Sequence, residues 1–307
     1  MKIGHISDLH IFRLGNPRIS EFFNKRLLGG VNLLMNRTEE HSVGVVREAL
    51  THLQKHDVDH IAITGDVTNL ALDAEFAAVA EVIAEDIPDA AQRVSVIPGN
   101  HDYYTKDAVR ARRFETHFAP YMTSDLPSYQ LETGYPFCKL RDGVAIVGLN
   151  SGIATPWFFA TGEVSEQELE ATEALLDDPR LEDRFVVVMV HHHLVPFEHS
   201  RVEYTRRLVN AEAVLHTLRD KDVDLVIHGH NHHFATIEIP HLTGNGVMRI
   251  CEAGSTSMST YSDPKFGGKY NIYHIEDGHL DRVETHLYEG EDLGFVHWRE
   301  RTFEKTF

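Results

Sequence analysis

Side chains able to bind borderline metal ions recur in short runs along this chain. Asp8-Leu9-His10 comes first, then Gly65-Asp66, Gly99-Asn100-His101-Asp102, His191-His192-His193 and finally Gly229-His230-Asn231-His232. In extended chain, residues two apart point to the same side, so Asp8 with His10, and His230 with His232, can each grip one ion. The donors are carboxylates, imidazoles and one amide oxygen, with no thiolate. That set suits manganese, iron, zinc, cobalt or nickel, and argues against a cysteine-rich structural zinc site or an all-oxygen calcium cage. Two such ions about 3.5–4 Å apart, bridged by a carboxylate, form the clamp used in phosphoryl chemistry. They neutralise non-bridging oxygens and lower the pKa of a shared water.

Each run follows an apolar, β-branched segment: 2–7, 58–64, 93–97, 185–190 and 223–228. In an α/β sheet, ligands bind just beyond the C-terminal ends of the strands, so five strands would deliver these side chains to one edge. Helical patterns lie between them over 38–56, 73–85, 107–117, 165–176 and 210–219. Ser165 is the expected cap of the fourth helix, with Glu168 completing a capping box. Asp142-Gly143 is a turn signal that predicts a hairpin between 137–140 and 144–149. After His232 the pattern changes to short strands at 234–239, 247–251, 270–275 and 279–286, which reads as an antiparallel meander. Strands alternating with crossover helices predict parallel pairing. The fold class is therefore α/β: one domain over 1–307, with a mixed sheet or two packed sheets and helices outside.

Composition narrows the function. The formal net charge is −18, with 42% hydrophobic and 25% charged residues, a profile of soluble globular chains. So acidic a chain is a poor candidate for wrapping nucleic acid. An anionic substrate needs a local positive source, which bound metals supply. The two cysteines, Cys138 and Cys251, make no disulfide framework and read as thiols in a reducing cytoplasm. No signal peptide is visible, and the apolar run at 186–190 is too short to span a bilayer. One stretch departs from the acidic texture. Residues 12–37 carry Arg13, Arg18, Lys25, Arg26 and Arg37 against Glu21 alone, among many large apolar side chains. This insertion reads as a helical excursion packed on the body, a cap over the site, a lipid-facing helix or a homodimer contact.

Taken in order, Asp-x-His, Gly-Asp, Gly-Asn-His-Asp, His and Gly-His-x-His resemble the calcineurin-like metallophosphoesterases, over roughly residues 1 to 260. The resemblance implies two mixed β-sheets flanked by helices and a centre of two metal ions. Matched motif by motif, it implies that Asp8, His10 and His232 hold the first metal and that Asp66 bridges. Asn100, His191 and His230 then hold the second. A bridging hydroxide would attack phosphorus, and His101 would donate a proton to the leaving oxygen or stabilise charge on the phosphate. Relatives continue His-His-Pro-Pro where this chain has His193 and Leu194, so a histidine beside His191 stays open as the ligand. Many relatives read Gly-Asp-x-x-Asp, whereas this chain ends the run with Asn69. Asn69 can fix the His101 ring by a hydrogen bond but cannot stabilise an imidazolium as a carboxylate does, which implies a less basic His101. Asn150 and His192 are expected to contact substrate. His5, His228 and His233 either orient ligands or are ordinary strand-end residues.

The run Pro98 to Tyr104 and the closing Ala253-Gly254-Ser255 look most like the class III cyclic-nucleotide phosphodiesterases. That likeness implies a phosphodiesterase acting on small phosphodiesters, cyclic nucleotides first, with no stable nucleic-acid complex. Three other readings stand beside it. The first is a nuclease. The second is a phosphodiesterase for glycerophosphodiesters or lipid-linked substrates, supported only by residues 12–37. The third is a binding module without catalysis.

Overall fold

Phe185, Val187 and Met189 alternate with Val186, Val188 and Val190, and the two sets enter different apolar clusters. A β-branched run of this kind fits a strand covered on both faces. The computed structural model describes residues 1–13, 41–156, 158–196, 201–244, 246–259 and 267–304. Its strands, in chain order, are β1 (Lys2–Ile6), β2 (His60–Ile63), β3 (Val94–Val96), β4 (Phe137–Arg141), β5 (Val144–Gly148) and β6 (Phe185–Met189). There follow β7 (Leu225–His228), β8 (Ala235–Pro240), β9 (Val247–Glu252), β10 (Lys269–Glu276), β11 (His279–Tyr288) and β12 (Phe295–Thr302). The helices are α1 (Val43–Lys55), α2 (Asp73–Asp86), α3 (Ala90–Arg93), α4 (Lys106–Arg110), α5 (Arg113–Phe118), α6 (Glu166–Leu176), α7 (Arg201–Arg206) and α8 (Ala211–Asp220).

The strands form two six-stranded mixed sheets, ordered β12-β11-β10-β1-β2-β3 and β4-β5-β6-β7-β9-β8. This is the expected α/β architecture in its two-sheet form. Strands β1, β2 and β3 run parallel, as do β5, β6, β7 and β9. The larger apolar cluster takes side chains from both sheets and from α1 and α2, including Leu50, Leu53, Phe76 and Val79. The smaller one packs the other face of β5 and β6 against α6 and α8, through Leu175, Val214 and Leu218. No helix among the described residues is long and apolar enough to cross a membrane.

Several expectations change in detail. Helix α1 starts later than expected, with the Ser42 hydroxyl accepting the Gly44 N–H at 3.1 Å. The expected helix start at residue 38 lies outside the described residues, as does the basic insertion from residue 14 onward. The single helix expected at 107–117 is two, α4 and α5, because Arg112 sits in the left-handed region at φ 48°. The hairpin turn forms with Asp142 at φ 36° and Gly143 at φ 81°, both left-handed as a two-residue turn requires. Edge strand β12 and the short helices α3 and α7 were not expected. Cys138 and Cys251 are free, buried thiols, pushed up by burial to about 12 and about 11.

The capping box is corrected too. Ser165 accepts the Glu168 N–H at 3.2 Å, but Glu168 turns its carboxyl inward and accepts the Asn150 N–H at 2.6 Å. It thereby ties the loop after β5 to α6. Burial pushes Glu168 up to about 8, against the pull of that N–H. The folded protein then holds a proton that the unfolded chain releases near the ordinary carboxylate pKa. Glu168 therefore favours folding at acid pH, and that contribution falls as pH rises toward about 8. Glu168→Gln keeps the acceptor and removes the titration. We expect its Tm to match wild type near about pH 5 and to exceed it by about 3 °C near pH 9, read by calorimetry.

Candidate metal centre

Main-chain hydrogen bonding continues past the strand ends and carries the polar runs to one seam between the sheets. After β1, the Asp8 N–H donates to the Gly65 carbonyl at 3.0 Å and the His10 N–H to the Asp66 carbonyl at 2.9 Å. After β6 and β7, the Gly229 N–H donates to the His191 carbonyl at 3.2 Å. The sheets are then cross-linked. The Thr256 N–H donates to the Ser7 carbonyl at 2.9 Å, and His191 Nδ1–H donates to the Thr64 carbonyl at 2.7 Å. The Ser255 hydroxyl donates to the Asp8 carbonyl at 2.7 Å.

Two groups of ligand atoms result, each within 4.8 Å: Asp8, His10 and His232, and Asp66, His191 and His230. Asp66 also clusters with His10 and His101, so it stands between the two groups. In the first, His10 Nε2 and His232 Nε2 are 3.0 Å apart, and Asp8 Oδ1 lies 3.8 Å and 3.3 Å from them. In the second, His191 Nε2 is 3.5 Å from Asp66 Oδ2 and 3.3 Å from Asn100 Oδ1. With Nδ1 committed to Thr64, His191 presents Nε2 to the group, the arrangement metal-binding histidines commonly show. His230 mirrors it: Nε2–H donates to the Arg206 carbonyl at 2.8 Å, and Nδ1 is buried with no hydrogen-bond partner among the described residues. A metal ion satisfies such an orphan.

The electrostatics agree with a cation. Burial pushes the Asp8 carboxyl up, but the imidazoles of His232 and His191 outweigh it and hold the group low, at about 2. Asp66 is also lowered: burial opposes, and His191 and His101 prevail. Burial disfavours a charged His191, yet Asp66 beside it lifts the ring to about 9. Positive charge beside these buried carboxylates is thus favoured. His230 is pushed well down by burial and the nearby histidines, and stays a neutral donor. Ionised carboxylates with neutral imidazoles are the donors a divalent ion takes.

The glycines of the motifs are steric requirements. A Cβ on Gly99 would lie 2.2 Å from Asp66 Oδ1, and one on Gly229 would lie 2.2 Å from Asp8 Oδ2. Asp102 locks the loops after β2 and β3 together, its carboxylate accepting from the N–H groups of Thr68 and Gly99 at 2.9 Å each. His101 donates its N–H to Asp66 Oδ1 at 2.7 Å.

The structure brings Asp8, His10, Asp66, Asn100, His101, His191, His230 and His232 together, and it places three other expected residues differently. His101 Nδ1–H donates to the main-chain carbonyl of Asn69 at 2.8 Å. Any residue at 69 provides that carbonyl, so the lower basicity ascribed to the Asn69 amide has no support in this bond. His192 is buried, accepting from the Ser151 hydroxyl at 2.8 Å and donating Nε2–H to the Ala160 carbonyl at 3.2 Å. Both its ring nitrogens are thereby committed to tethering a loop. The Asn150 amide oxygen accepts the Gly152 N–H at 2.8 Å and shapes the same loop. His5 is an interior residue between the Tyr273 and Thr64 hydroxyls, at 2.9 and 2.8 Å.

A cleft of about 160 Å³ opens over the centre. Besides expected ligands it is lined by Arg206, Asn231 and Ala160. Arg206 was not anticipated, because nothing in the sequence near it marks it from the adjoining Arg201 and Arg207.

The calcineurin-like phosphoesterase family pattern matches residues 1–234. Among solved structures, a dimetal phosphatase from Danio rerio aligns with a TM-score of 0.61 at 15% identity, over 98% of each chain. The purple acid phosphatase PPD1 from yellow lupin (Lupinus luteus) seeds aligns with a TM-score of 0.56 at 10% identity, over 97% of this chain and 52% of that one. At these identities the likeness speaks for the fold. No curated protein matches the sequence.

If Gly99 is glycine because Asp66 needs the space, Gly99→Ala must displace that carboxylate. We expect the variant to fold with Tm lowered by about 5 °C. Its metal affinity should fall by about tenfold or more, read by competitive chelator titration. Wild-type metal affinity in Gly99→Ala would contradict the placement of Asp66.

Proposed function

Because the chain belongs to the calcineurin-like phosphoesterase family, we propose that it is a metal-dependent hydrolase of small phosphodiesters, cyclic nucleotides being the favoured class. The observation that carries this reading is the pair of buried ligand groups that meet at Asp66. In it, Asp8, His10 and His232 hold one ion, Asn100, His191 and His230 hold the other, and Asp66 serves both. Manganese, iron, zinc and cobalt all accept this donor set. When bound, such a pair neutralises phosphoryl oxygens and acidifies water.

The remaining roles belong to the chain's own side chains. His101 lines the cleft, and with Nδ1 committed to the Asn69 carbonyl, proton donation to a leaving oxygen falls to Nε2. Arg206 is the one Lys or Arg among the described residues lining the cleft, and it can hold a non-bridging oxygen. A single such cation favours a diester, with one negative charge, over a monoester that carries about −1.5 to −2. The net charge of −18 counts against a long polyanionic substrate such as nucleic acid. The lipid-linked reading rested on the insertion beyond residue 13, outside the described residues, and gains nothing here.

The direct test assays phosphomonoesters, linear diesters and cyclic nucleotides with manganese, iron, zinc and magnesium, using Asn100→Ala as the control. Cyclic or small linear diesters should give the highest kcat/KM, and monoesters faster than diesters would overturn the substrate class. Arg206→Ala should raise KM about tenfold with kcat nearly unchanged. His101→Gln should lower kcat about 10²–10⁴-fold for alkoxide leaving groups and far less for nitrophenolate, which needs no proton.

A further inference from the structure

A second group of imidazoles lies at the far end of α1. His52 is in its last turn and His56 caps it, so the two rings sit four residues apart on one face, with centroids separated by 4.7 Å. His286 on β11 completes the group, its ring 5.2 Å from His52 and 4.8 Å from His56. One nitrogen from each of the three lies within 4.8 Å of the others. The start of α1 is anchored near the dinuclear centre, where the Ser42 N–H donates to the Ser257 carbonyl at 3.1 Å. A helix of 13 residues is about 20 Å long. The two groups are therefore separate.

His286 points to what this group is for. It is 1% exposed, and its Nδ1 has no hydrogen-bond partner among the described residues. The nearest acid oxygen, Glu284 Oε2, is 3.5 Å from Nε2. A buried ring nitrogen left unbonded is costly unless a ligand completes it. Its ring is stacked on Tyr270, interplanar angle 8°, which fixes its plane. The Tyr270 oxygen also accepts from His52 Nδ1 in the tautomer that presents His52 Nε2 as a lone-pair donor. Such an outer bond orients and sharpens a metal-binding histidine. A cation here also lies at the C-terminal, negative end of α1. His297, directly across from His286 on β12, is an exposed candidate for a fourth position.

We propose that His52, His56 and His286 form a third metal site, taking a borderline divalent ion such as zinc, nickel or copper, that staples the end of α1 to β11. Three imidazoles with an open fourth position suit these ions and exclude calcium and magnesium. The site shares no residue with the centre described above, so it stands or falls independently of the proposed hydrolase.

The test compares full-length chains stripped with chelator and reloaded with zinc. His56→Ala removes a half-buried ring, while His286→Phe removes the nitrogens and keeps an aromatic ring against Tyr270. Wild type should bind about one equivalent more zinc than either variant, by equilibrium dialysis and elemental analysis. Diester hydrolysis should be unchanged in both. Zinc should raise the wild-type Tm by about 5 °C more than that of His56→Ala. Equal stoichiometry and equal thermal shifts in wild type and His56→Ala would overturn the site. Wild-type affinity retained by His286→Phe would reduce it to a two-histidine surface chelate, which also overturns it.

Discussion

Two carboxylates, Asp8 and Asp66, are buried where the sheets meet, and the surrounding loops follow from that burden. An unpaired charge in so dry a place costs several kcal/mol, a large share of a domain's net stability. Hydrogen bonds help: Asp8 accepts the His230 N–H at 3.0 Å and Asp66 accepts the His101 N–H at 2.7 Å. These cannot replace bulk water, so positive charge must arrive, as a proton on His191 or as cations. The same need explains why the ligands come from both sheets. Neither sheet alone has enough strand ends to surround two acids.

Holding those side chains inward strains the backbone. Asp8, His10, Asp66, His230 and His232 all lie in the left-handed region, at φ 53°, 44°, 51°, 81° and 60°. For residues other than glycine this costs about 1–2 kcal/mol each, with Asp and His tolerating it better than most. The sum rivals the net stability of an ordinary domain. Strain on that scale persists only where surrounding bonds dictate it. Here the ladder of Asp8 and His10 N–H groups onto the Gly65 and Asp66 carbonyls does so. The ligands are thereby held by main-chain bonds that use no ligand atom.

The central strands and their polar endings were legible in the sequence because two signals coincide there. A buried parallel strand needs an unbroken apolar run, and the run must stop where a ligand begins. Other features carry no such double signal. Strand β12, Phe-Val-His-Trp-Arg-Glu-Arg-Thr, is an edge whose charges hide its alternation. The break between α4 and α5 depends on one left-handed arginine, which no composition announces. Glu168 has the spacing of a capping box but is drawn away by an unpaired N–H on a loop distant in sequence. Asn69 acts through its backbone, so its residue type misleads. Arg206 reaches the cleft because the end of α7 accepts a bond from His230, a tertiary relation without a local pattern.

The 22 histidines show how residue type and role come apart. In a neutral ring one nitrogen donates and the other accepts, so the partners already in place decide what the ring can still do. His5 and His192 spend both nitrogens on protein atoms and act as internal tethers. His191 and His230 give one N–H to a backbone carbonyl, which fixes the tautomer and aims the other nitrogen at the seam. His286 turns Nε2 toward Glu284 and leaves Nδ1 without a hydrogen bond among the described residues. Motif matching chose His191 as the ligand and left a neighbouring histidine open, and the fold separates them: His191 faces carboxylates and His192 a serine and a carbonyl. Their difference is geometric: adjacent residues leaving a strand point to opposite sides. A ligand is recognised by the partner it lacks, and that is visible only once the fold has assigned the rest.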